Sequence, residues 1–232
     1  MRVIVVGNEK GGAGKSTIAT HLAVALAHEG ARVAVLDLDT RQQSTAHFFA
    51  HRDRWTAAKD IALPALTNVG DRGDLDAAFA AAADHDYLVI DTPGADTAPS
   101  RAAHQRADLI VTPMNDSFVD FDVLATVDPV TLDLVKPSLY SETVWEARKV
   151  RAAERGRSLD WVVLRNRLAS SDPRNRRRVD ERLKTLSRRV GFRVLPGLRD
   201  RVIYRELFPF GLTVADLSPS AIKTRISWRA AT

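Results

Sequence analysis

The chain has 232 residues, of which 45% are hydrophobic and 27% are charged, and its formal net charge at pH 7 is +5. This length and balance favour one large globular domain and argue against a disordered or fibrous chain. The absence of cysteine excludes disulfides, thiolate-held metal clusters and a cysteine nucleophile, and it fits a reducing cytoplasm. No apolar stretch approaches the roughly 18 residues of a membrane span, and the first residues run straight into a strand pattern, so we expect no span and no export signal.

The charge is distributed unevenly along the chain. Residues 151–205 hold 17 Lys and Arg against 6 Asp and Glu, a local excess of +11, so the other residues sum to −6. A basic segment in an otherwise acidic chain is typical of a protein with a polyanion partner, and DNA is the first candidate.

Short apolar runs alternate with helical patterns along the chain. Residues 3–7 form an apolar, β-branched run, and residues 16–29 carry apolar side chains at helical spacing. Further apolar runs predict strands at 32–39, 87–91, 109–113 and 161–164. This alternation predicts an α/β fold with a doubly wound, mostly parallel sheet, helices on both faces, and ligands bound at the carboxyl ends of the strands.

The connections between elements and the C-terminal end give weaker sequence patterns than the strands and helices do. Residues 60–75 predict a surface connection before an alanine-rich helix near 75–83, and residues 151–158 predict an exposed loop. We expect one domain over 1–220, followed by a short basic tail at 221–232. The tail has apolar and basic residues that would suit a weak membrane tag, but a frayed end is the expected structure.

A glycine-rich loop, KGGAGKST, separates the first strand from the first helix. A loop in this position directs backbone N–H groups and the positive end of a helix toward one point, as a polyphosphate requires. Lys15 is predicted to reach the β- and γ-phosphates and the Ser16 hydroxyl to ligate magnesium. Glu9 replaces the first glycine of the usual pattern, and the alternative is a glycine-rich turn between surface lysines. The predicted nucleotide-binding residues in the loop are Lys10, Gly11, Gly12, Ala13, Gly14, Lys15, Ser16 and Thr17.

Aspartates close two of the predicted strands. Asp37 and Asp39 end the run VLDLD, and Asp91 ends YLVID before Thr-Pro-Gly. A single aspartate at a strand end is more often a turn residue or a helix cap. Three of them at strand ends beside a phosphate loop indicate a site for a metal-bound nucleotide instead.

The loop, with its second lysine, resembles the deviant Walker A motif of the ParA/MinD ATPase superfamily. The resemblance implies that two monomers sandwich two ATP molecules, with Lys15 acting in cis and Lys10 reaching the phosphates held by the partner subunit. It also implies that Asp91 holds magnesium, that Asp39 orients the attacking water, and that Asp37 supports the site. The implied catalytic residues are Asp39, Lys10 and Lys15, and the implied metal site is Ser16, Asp39 and Asp91.

Asn166 follows the predicted strand WVVLR. Members of the superfamily place an adenine-contacting asparagine there, so the resemblance implies that Asn166 contacts the base. A turn asparagine is an alternative that fits nearly as well.

Longer segments resemble the MipZ family of division-plane regulators, among them RADLIVTPMNDSFVDFDVL, KPSLYSETVWEARK and GLRDRVIYRELFPFGLT. The resemblance covers nearly all of residues 2–220. It implies an ATP-driven switch in which ParB recruits the monomer and the ATP-bound homodimer binds chromosomal DNA without sequence preference. The protein would inhibit FtsZ assembly and form a gradient from the pole. The family carries a further helix where this chain has only residues 221–232, which leaves its contribution to folding or dimerisation open.

The basic segment contains one strong helical pattern. Ser171 or Asp172 could cap a helix that has Pro173 at its first position. The apolar stripe of this helix is Val179, Leu183, Leu186 and Val190. At 100° per residue, one flank holds the predicted DNA-binding residues Arg178, Arg182 and Arg189. Arginines on such a flank would contact the phosphate backbone of DNA without contacting the base edges. The alternative is that this flank is an ordinary solvent-exposed face of the helix.

The same motifs are compatible with three other functions. A ParA-type segregation ATPase would share the site and the DNA binding but would not act on FtsZ. A non-hydrolysing, nucleotide-gated DNA-binding module would release no phosphate, and a MinD-like regulator would bind liposomes.

Overall fold

The computed structural model describes residues 1–70, 74–115, 118–128, 134–168 and 173–217. Its strands are β1 (Arg2–Val6), β2 (Val33–Asp37), β3 (Thr67–Asn68), β4 (Tyr87–Asp91), β5 (Leu109–Asn115), β6 (Ala125–Val127), β7 (Leu134–Pro137), β8 (Asp160–Asn166) and β9 (Arg193–Leu195). Seven of them form one parallel sheet in the order β3-β2-β4-β1-β5-β8-β9, and β6 and β7 form a small antiparallel sheet.

The helices alternate with the strands of the large sheet. They are α1 (Lys15–His28), α2 (Ser44–Lys59), α3 (Leu75–Ala81), α4 (Ala98–Arg106), α5 (Leu139–Arg155), α6 (Pro173–Leu186) and α7 (Ile203–Leu207). Three 3-10 turns lie at Phe118–Val123, Phe208–Phe210 and Val214–Asp216, and a π-helical turn lies at Ser187–Gly191. Over the ranges that the structure describes, no helix is both long and apolar enough to cross a bilayer.

The two faces of the sheet are covered by different helices. In β1 the side chains alternate, so that Val3 and Val5 pack with residues of α3–α6 while Ile4 and Val6 pack with α1 and α2. All four side chains are buried. The predicted fold class, a doubly wound parallel sheet with helices on both faces, is therefore confirmed.

The register of the central strands brings the predicted site residues to one edge. Asp91 pairs with Val6 of β1 on one side and with Asp37 of β2 on the other. Since all seven strands are parallel, their carboxyl ends meet there. The five predicted strands and the first helix are confirmed, with bounds that shift by one or two residues.

The described part of the segment 60–75 is a largely exposed connection that leads to α3, as predicted. It also contains the short edge strand β3, which is too short to give a sequence pattern. The expected loop at 151–158 is wrong, because α5 continues to Arg155 and ends at Gly156, whose φ is 66°. Arg151 is buried in this last turn, where it pairs with Asp108 and donates to the Arg106 carbonyl at 3.1 Å.

The predicted basic helix is present as α6. The stripe of Val179, Leu183 and Leu186 in α6, together with Val190 in the π-helical turn that follows, is buried, which confirms the predicted inner face. The proposed cap at 171 or 172 and the tail at 221–232 lie outside the described residues.

Candidate nucleotide-binding site

The loop between β1 and α1 has the backbone of a phosphate-binding loop. Gly12 and Gly14 have φ values of 76° and 90°, and Gly14 caps the start of α1. A Cβ atom at Gly14 would lie 2.2 Å from Nδ2 of Asn166, so a larger residue would collide there as well as strain the backbone. Glycine is required at position 14 because φ is positive there and because Asn166 leaves no room for a side chain.

Lys15 is held inside this loop. Its side chain is largely buried, and Nζ donates to the Lys10 carbonyl at 3.1 Å. Burial lowers the pKa of Lys15, and the charges of Asp91 and Asp39 oppose that shift. A cation that lacks a full ion-pair partner in the described chain is positioned to receive a phosphate.

A cavity of about 560 Å³ opens over the loop. Asp39 lines it, and its Oδ1 accepts from the Arg41 and Gln42 amides at 3.2 and 3.1 Å. These hydrogen bonds hold the carboxylate at the cavity wall, while Gly94 closes the opposite side near Gly11 and Lys15. The predicted residues that line the cavity are Gly11, Gly12, Gly14, Lys15, Ser16, Thr17 and Asp39.

Asp91 lies beneath this cavity and is completely buried. Its Oδ2 accepts from the Thr45 hydroxyl at 2.8 Å, whereas Oδ1 is buried with no hydrogen-bond partner among the described residues. Burial and the charge of Asp37 raise the pKa of Asp91 to about 7, against the hydroxyls of Ser16 and Thr45 and the charge of Lys15. An orphaned carboxylate oxygen beside a hydroxyl fits a hard divalent cation such as Mg²⁺.

Asp37 supports the site from the neighbouring strand. Its Oδ1 accepts from the Asp39 amide at 2.9 Å and its Oδ2 from the Thr45 amide at 3.0 Å. Burial raises the pKa of Asp37, these amides lower it, and the charge of Asp39 raises it further. Asp37 thereby fixes the backbone that presents both Asp39 and Thr45.

Lys10 does not line the phosphate cavity. Its Nζ forms an ion pair with the buried carboxylate of Asp120, and its amide donates to Asn8 Oδ1 at 2.7 Å. Lys10 instead lines a separate cavity of about 540 Å³, together with Glu9, Leu139 and residues of the β6–β7 hairpin. The two lysines of the motif therefore line different cavities.

Asn166 is held against the phosphate loop. Its Nδ2 donates to the Ala13 carbonyl at 3.0 Å, and its Oδ1 accepts from the Arg167 amide at 2.9 Å. It also lines a third, apolar cavity of about 300 Å³ that shares Thr17 with the phosphate cavity. Asn166 therefore lies beside the phosphate loop, and part of its hydrogen-bonding capacity is used by that loop. The contact with the base that the resemblance implied stays a prediction.

A buried chain of hydrogen bonds, which no sequence pattern predicts, anchors the start of the loop. Trp161 Nε1 donates to Thr112 Oγ1 at 2.9 Å, Thr112 donates to the Tyr140 hydroxyl at 2.9 Å, and Tyr140 donates to the Gly7 carbonyl at 2.7 Å. A Cβ atom at Gly7 would lie 2.5 Å from His104 Nε2. These contacts hold Gly7 in place at the end of β1, where the loop leaves the sheet.

Two strained residues also border the site. Only three non-glycine residues of the described ranges have positive φ, and they include Gln43 at 48° and Arg167 at 53°. Arg167 lines the phosphate cavity, and Gln43 lies between the lining residues Gln42 and Ser44. Such backbone strain concentrates at functional sites. Neither residue could be found from sequence, because strain depends on the surrounding tertiary contacts.

The predicted DNA-binding arginines lie apart from this site, on α6 and the turn after it. Arg182 is half-buried and Arg189 is exposed, while the side chain of Arg178 lies outside the part that the structure describes. The predicted alignment of Arg189 assumed 100° per residue, but residues 187–191 form a wider π-helical turn. The angle between Arg189 and the other two arginines therefore departs from that spacing, although Val190 keeps its predicted buried position.

Fold and site together define the chain as a P-loop nucleotide-binding protein of the ParA/MinD type. The chain belongs to the MipZ family, because the family described as ATPase MipZ matches residues 2–231. Protein ParA of Rhizobium radiobacter is 31% identical over 137 residues, or 58% of this chain and 56% of ParA, so the match spans little more than half of that relative. Maintenance of carboxysome distribution protein A of Gloeobacter kilaueensis is 35% identical over 67% of this chain and 72% of that protein.

Solved structures show the same fold at low sequence identity. Apo McdA of Cyanothece superposes with a TM-score of 0.65 at 20% identity, covering 95% of both chains. A substituted Cyanothece McdA in complex with ATP gives 0.63 at 18% identity, covering 95% of this chain and 92% of that one. The Mg-ADP complex of the septum site-determining protein MinD of Pyrococcus horikoshii gives 0.58 at 15% identity, covering 95% and 91%.

Proposed function

We propose that this chain is an ATPase switch that binds Mg-ATP, dimerises around it and returns to the monomer after slow hydrolysis. The observation that carries the proposal is the division between the two lysines, with Lys15 in the phosphate cavity and Lys10 outside it. A lysine in the loop that does not line its own phosphate cavity is suited to phosphates bound by a second subunit.

Different residues would bind the phosphates, hold the magnesium ion and position the attacking water. Lys15 and the loop amides bind and neutralise the phosphates, and Ser16 and Asp91 would hold Mg²⁺, which supplies further charge neutralisation when bound. Asp39, fixed by two backbone amides at the cavity wall, orients the attacking water. Positioning and charge neutralisation suffice for this reaction.

The biological role that we propose is spatial regulation of cell division, with recruitment by ParB, non-specific DNA binding as the ATP dimer, and inhibition of FtsZ assembly. Membership of the MipZ family supports it. A ParA-type segregation ATPase is the second candidate, favoured by the 31% identity to ParA. Sedimentation of FtsZ polymers with and without the ATP-bound protein separates the two, since only the first candidate reduces the pellet.

The hydrolysis step can be tested at Asp39. Asp39→Ala should retain ATP binding and the ATP-dependent dimer while phosphate release falls at least about tenfold, because positioning of the water is lost but the phosphate contacts remain. Phosphate release and analytical ultracentrifugation with ATP and with ADP measure the two effects.

The matched control is Asp53→Ala, which removes an exposed carboxylate from α2. It should leave both measurements unchanged. Normal phosphate release by Asp39→Ala would reject the role given to Asp39, and the absence of any ATP-dependent dimer in the unsubstituted protein would reject the switch.

A further inference from the structure

The first turn of α2 is anchored by a side chain of the sheet rather than by the residue that precedes the helix. Gln43, at that preceding position, has a φ of 48° and makes no side-chain capping hydrogen bond. Asp37 of β2 caps the helix instead, since its Oδ2 accepts from the amides of Thr45 and Ala46 at 3.0 and 3.4 Å. A carboxylate at this end of a helix satisfies free N–H groups and interacts favourably with the helix dipole. The start of α2 is therefore tied to the end of β2.

The Thr45 side chain adds a second anchor, to the neighbouring strand β4. Its hydroxyl donates to Asp91 Oδ2 at 2.8 Å, and both residues are buried. Asp37 and Asp91 are register partners on adjacent strands, so a single residue of α2 is hydrogen-bonded to both carboxylates. Oδ1 of Asp91 has no hydrogen-bond partner in the part of the chain that the structure describes. Thr45 thus occupies one oxygen of Asp91 and leaves the other as a free acceptor.

These two anchors enclose the segment that carries Asp39. The segment 38–43 follows β2 and ends at α2, whose second residue is Thr45. At its start the Asp39 amide donates to Asp37 Oδ1 at 2.9 Å, and at its end the Gln43 amide donates to the Asp39 carbonyl at 2.9 Å. A segment of six residues that is held at both ends has few conformations, so a shift at either end would displace Asp39.

We propose that Thr45 is a positioning residue that couples the carboxylate of the metal site to the placement of Asp39. The inference rests on the proposed function, because it requires magnesium at Asp91 and a water oriented by Asp39. Thr45 does not line the phosphate cavity, so it acts through other residues. It fixes the orientation of the Asp91 carboxylate, which leaves Oδ1 as the acceptor for the metal or its water ligands, and it holds the end of segment 38–43.

The test compares Thr45→Val, which keeps the shape of the side chain but removes the hydroxyl, with Thr45→Ser, which keeps the hydroxyl. Binding of a fluorescent ATP analogue is titrated with Mg²⁺, and phosphate release gives kcat and KM. In Thr45→Val the half-maximal Mg²⁺ concentration should rise about 10-fold, because the metal-binding carboxylate is no longer oriented. At saturating Mg²⁺, kcat should fall at least about 10-fold with little change in KM, because Asp39 is displaced while Lys15 still binds the phosphates. Thr45→Ser should recover most of both values.

Thr56→Val is the matched control and should leave both measurements unchanged, because the Thr56 hydroxyl donates within α2, to the Arg52 carbonyl at 3.0 Å. Thermal unfolding verifies that each variant is folded, and Thr45→Ala takes the place of Thr45→Val if the latter is not. Binding of the analogue in EDTA reports on the phosphate loop alone and should be the same in all variants.

In the folded variant, an unchanged Mg²⁺ requirement or an unchanged kcat overturns the role of Thr45 while leaving the ATPase intact. An equal loss of binding in EDTA and in Mg²⁺ also overturns it, because the hydroxyl would then serve the fold rather than the metal site. The absence of Mg²⁺-dependent phosphate release by the unsubstituted protein would overturn the proposed function as well.

Discussion

Two lysines five positions apart in one loop have different surroundings, and these surroundings give them different roles. Lys15 is buried in the phosphate cavity, whereas the Lys10 side chain is 38% exposed and pairs with Asp120. Asp120 Oδ2 also accepts from the Asn115 amide at 2.9 Å, so the carboxylate is held in place. For Lys10 to reach a partner's phosphates, it must exchange this carboxylate for them.

This exchange leads to a prediction at the residue scale. Asp120→Asn removes the charge but keeps an acceptor for Asn115, so it should tighten the ATP-dependent dimer by at most about fivefold, the effect of one partly exposed ion pair. Sedimentation across a concentration series measures the change. Asp122→Asn, an exposed neighbour in the same 3-10 turn, should have no effect. A weaker dimer in Asp120→Asn would show that Asp120 orients Lys10 rather than competing for it.

At the scale of elements, one buried carboxylate joins the C-terminal segment to two helices. Asp216 Oδ1 accepts from His28 of α1 at 2.8 Å and from Arg52 of α2 at 2.9 Å, while Oδ2 accepts from the Thr213 amide at 2.8 Å. Arg52 also donates to the Gly211 carbonyl at 3.0 Å. Both buried charges are therefore paired and hydrogen-bonded, which is the condition under which burial is tolerated.

Burial raises the pKa of Asp216, but the hydrogen bonds from Arg52 and His28, the charge of Arg52 and the Thr213 amide outweigh it, so the net shift is downward. Ionised Asp216 therefore stabilises the fold above about pH 4, and this contribution is lost as the pH falls through the lowered pKa. Asp216→Asn should lower the free energy of unfolding by about 3 kcal/mol at pH 7, because Arg52 is left buried without its counter-charge.

Urea unfolding at pH 7, 5 and 3.5 measures this difference, which should shrink at the lowest pH. Asp84→Asn, an exposed control, should differ little from the unsubstituted protein at each pH. A deficit for Asp216→Asn that is the same at pH 7 and 3.5 would contradict the electrostatic explanation.

At the scale of the whole molecule, the basic segment forms one end of the sheet. Residues 151–205 include β8, α6 and the edge strand β9, whereas the phosphate site lies at the carboxyl ends of β1, β2 and β4. Of the described residues in this segment, Arg167 alone lines the phosphate cavity, so most of the positive charge in the local excess of +11 lies on a surface outside that cavity. Dimerisation would bring two of these basic surfaces into one particle. Two linked surfaces would bind a polyanion more tightly than one surface alone.

If α6 contacts phosphates, Arg178→Ala combined with Arg182→Ala should weaken DNA binding similarly on unrelated sequences. The slope of log affinity against log salt should decrease by up to about 2, one unit for each lost phosphate contact. Fluorescence anisotropy of the ATP-bound protein on two unrelated duplexes measures both effects. Arg2→Ala with Arg54→Ala removes the same charge from two exposed positions elsewhere and serves as control. Unchanged affinity and slope would rule out this flank.

Local patterns predicted the features that depend on neighbouring residues in the chain. The apolar strands, the glycine loop before α1, and the stripe of Val179 and Leu183 followed from periodicity and steric rules that act over a few residues. The continuation of α5 to Arg155 was missed because a buried arginine is tolerated only when a distant carboxylate pairs with it, here Asp108.

The sequence by itself determined the fold class and the phosphate loop with its two lysines, since both arise from short-range patterns. Only the tertiary structure decided that Lys10 pairs with Asp120, that Asp91 keeps an orphaned oxygen, and that the Thr45 hydroxyl donates to Asp91. Each of these depends on residues far apart in the chain that the sheet brings together. Ion pairing, desolvation and cavity shape are set by those long-range neighbours, which no local pattern encodes.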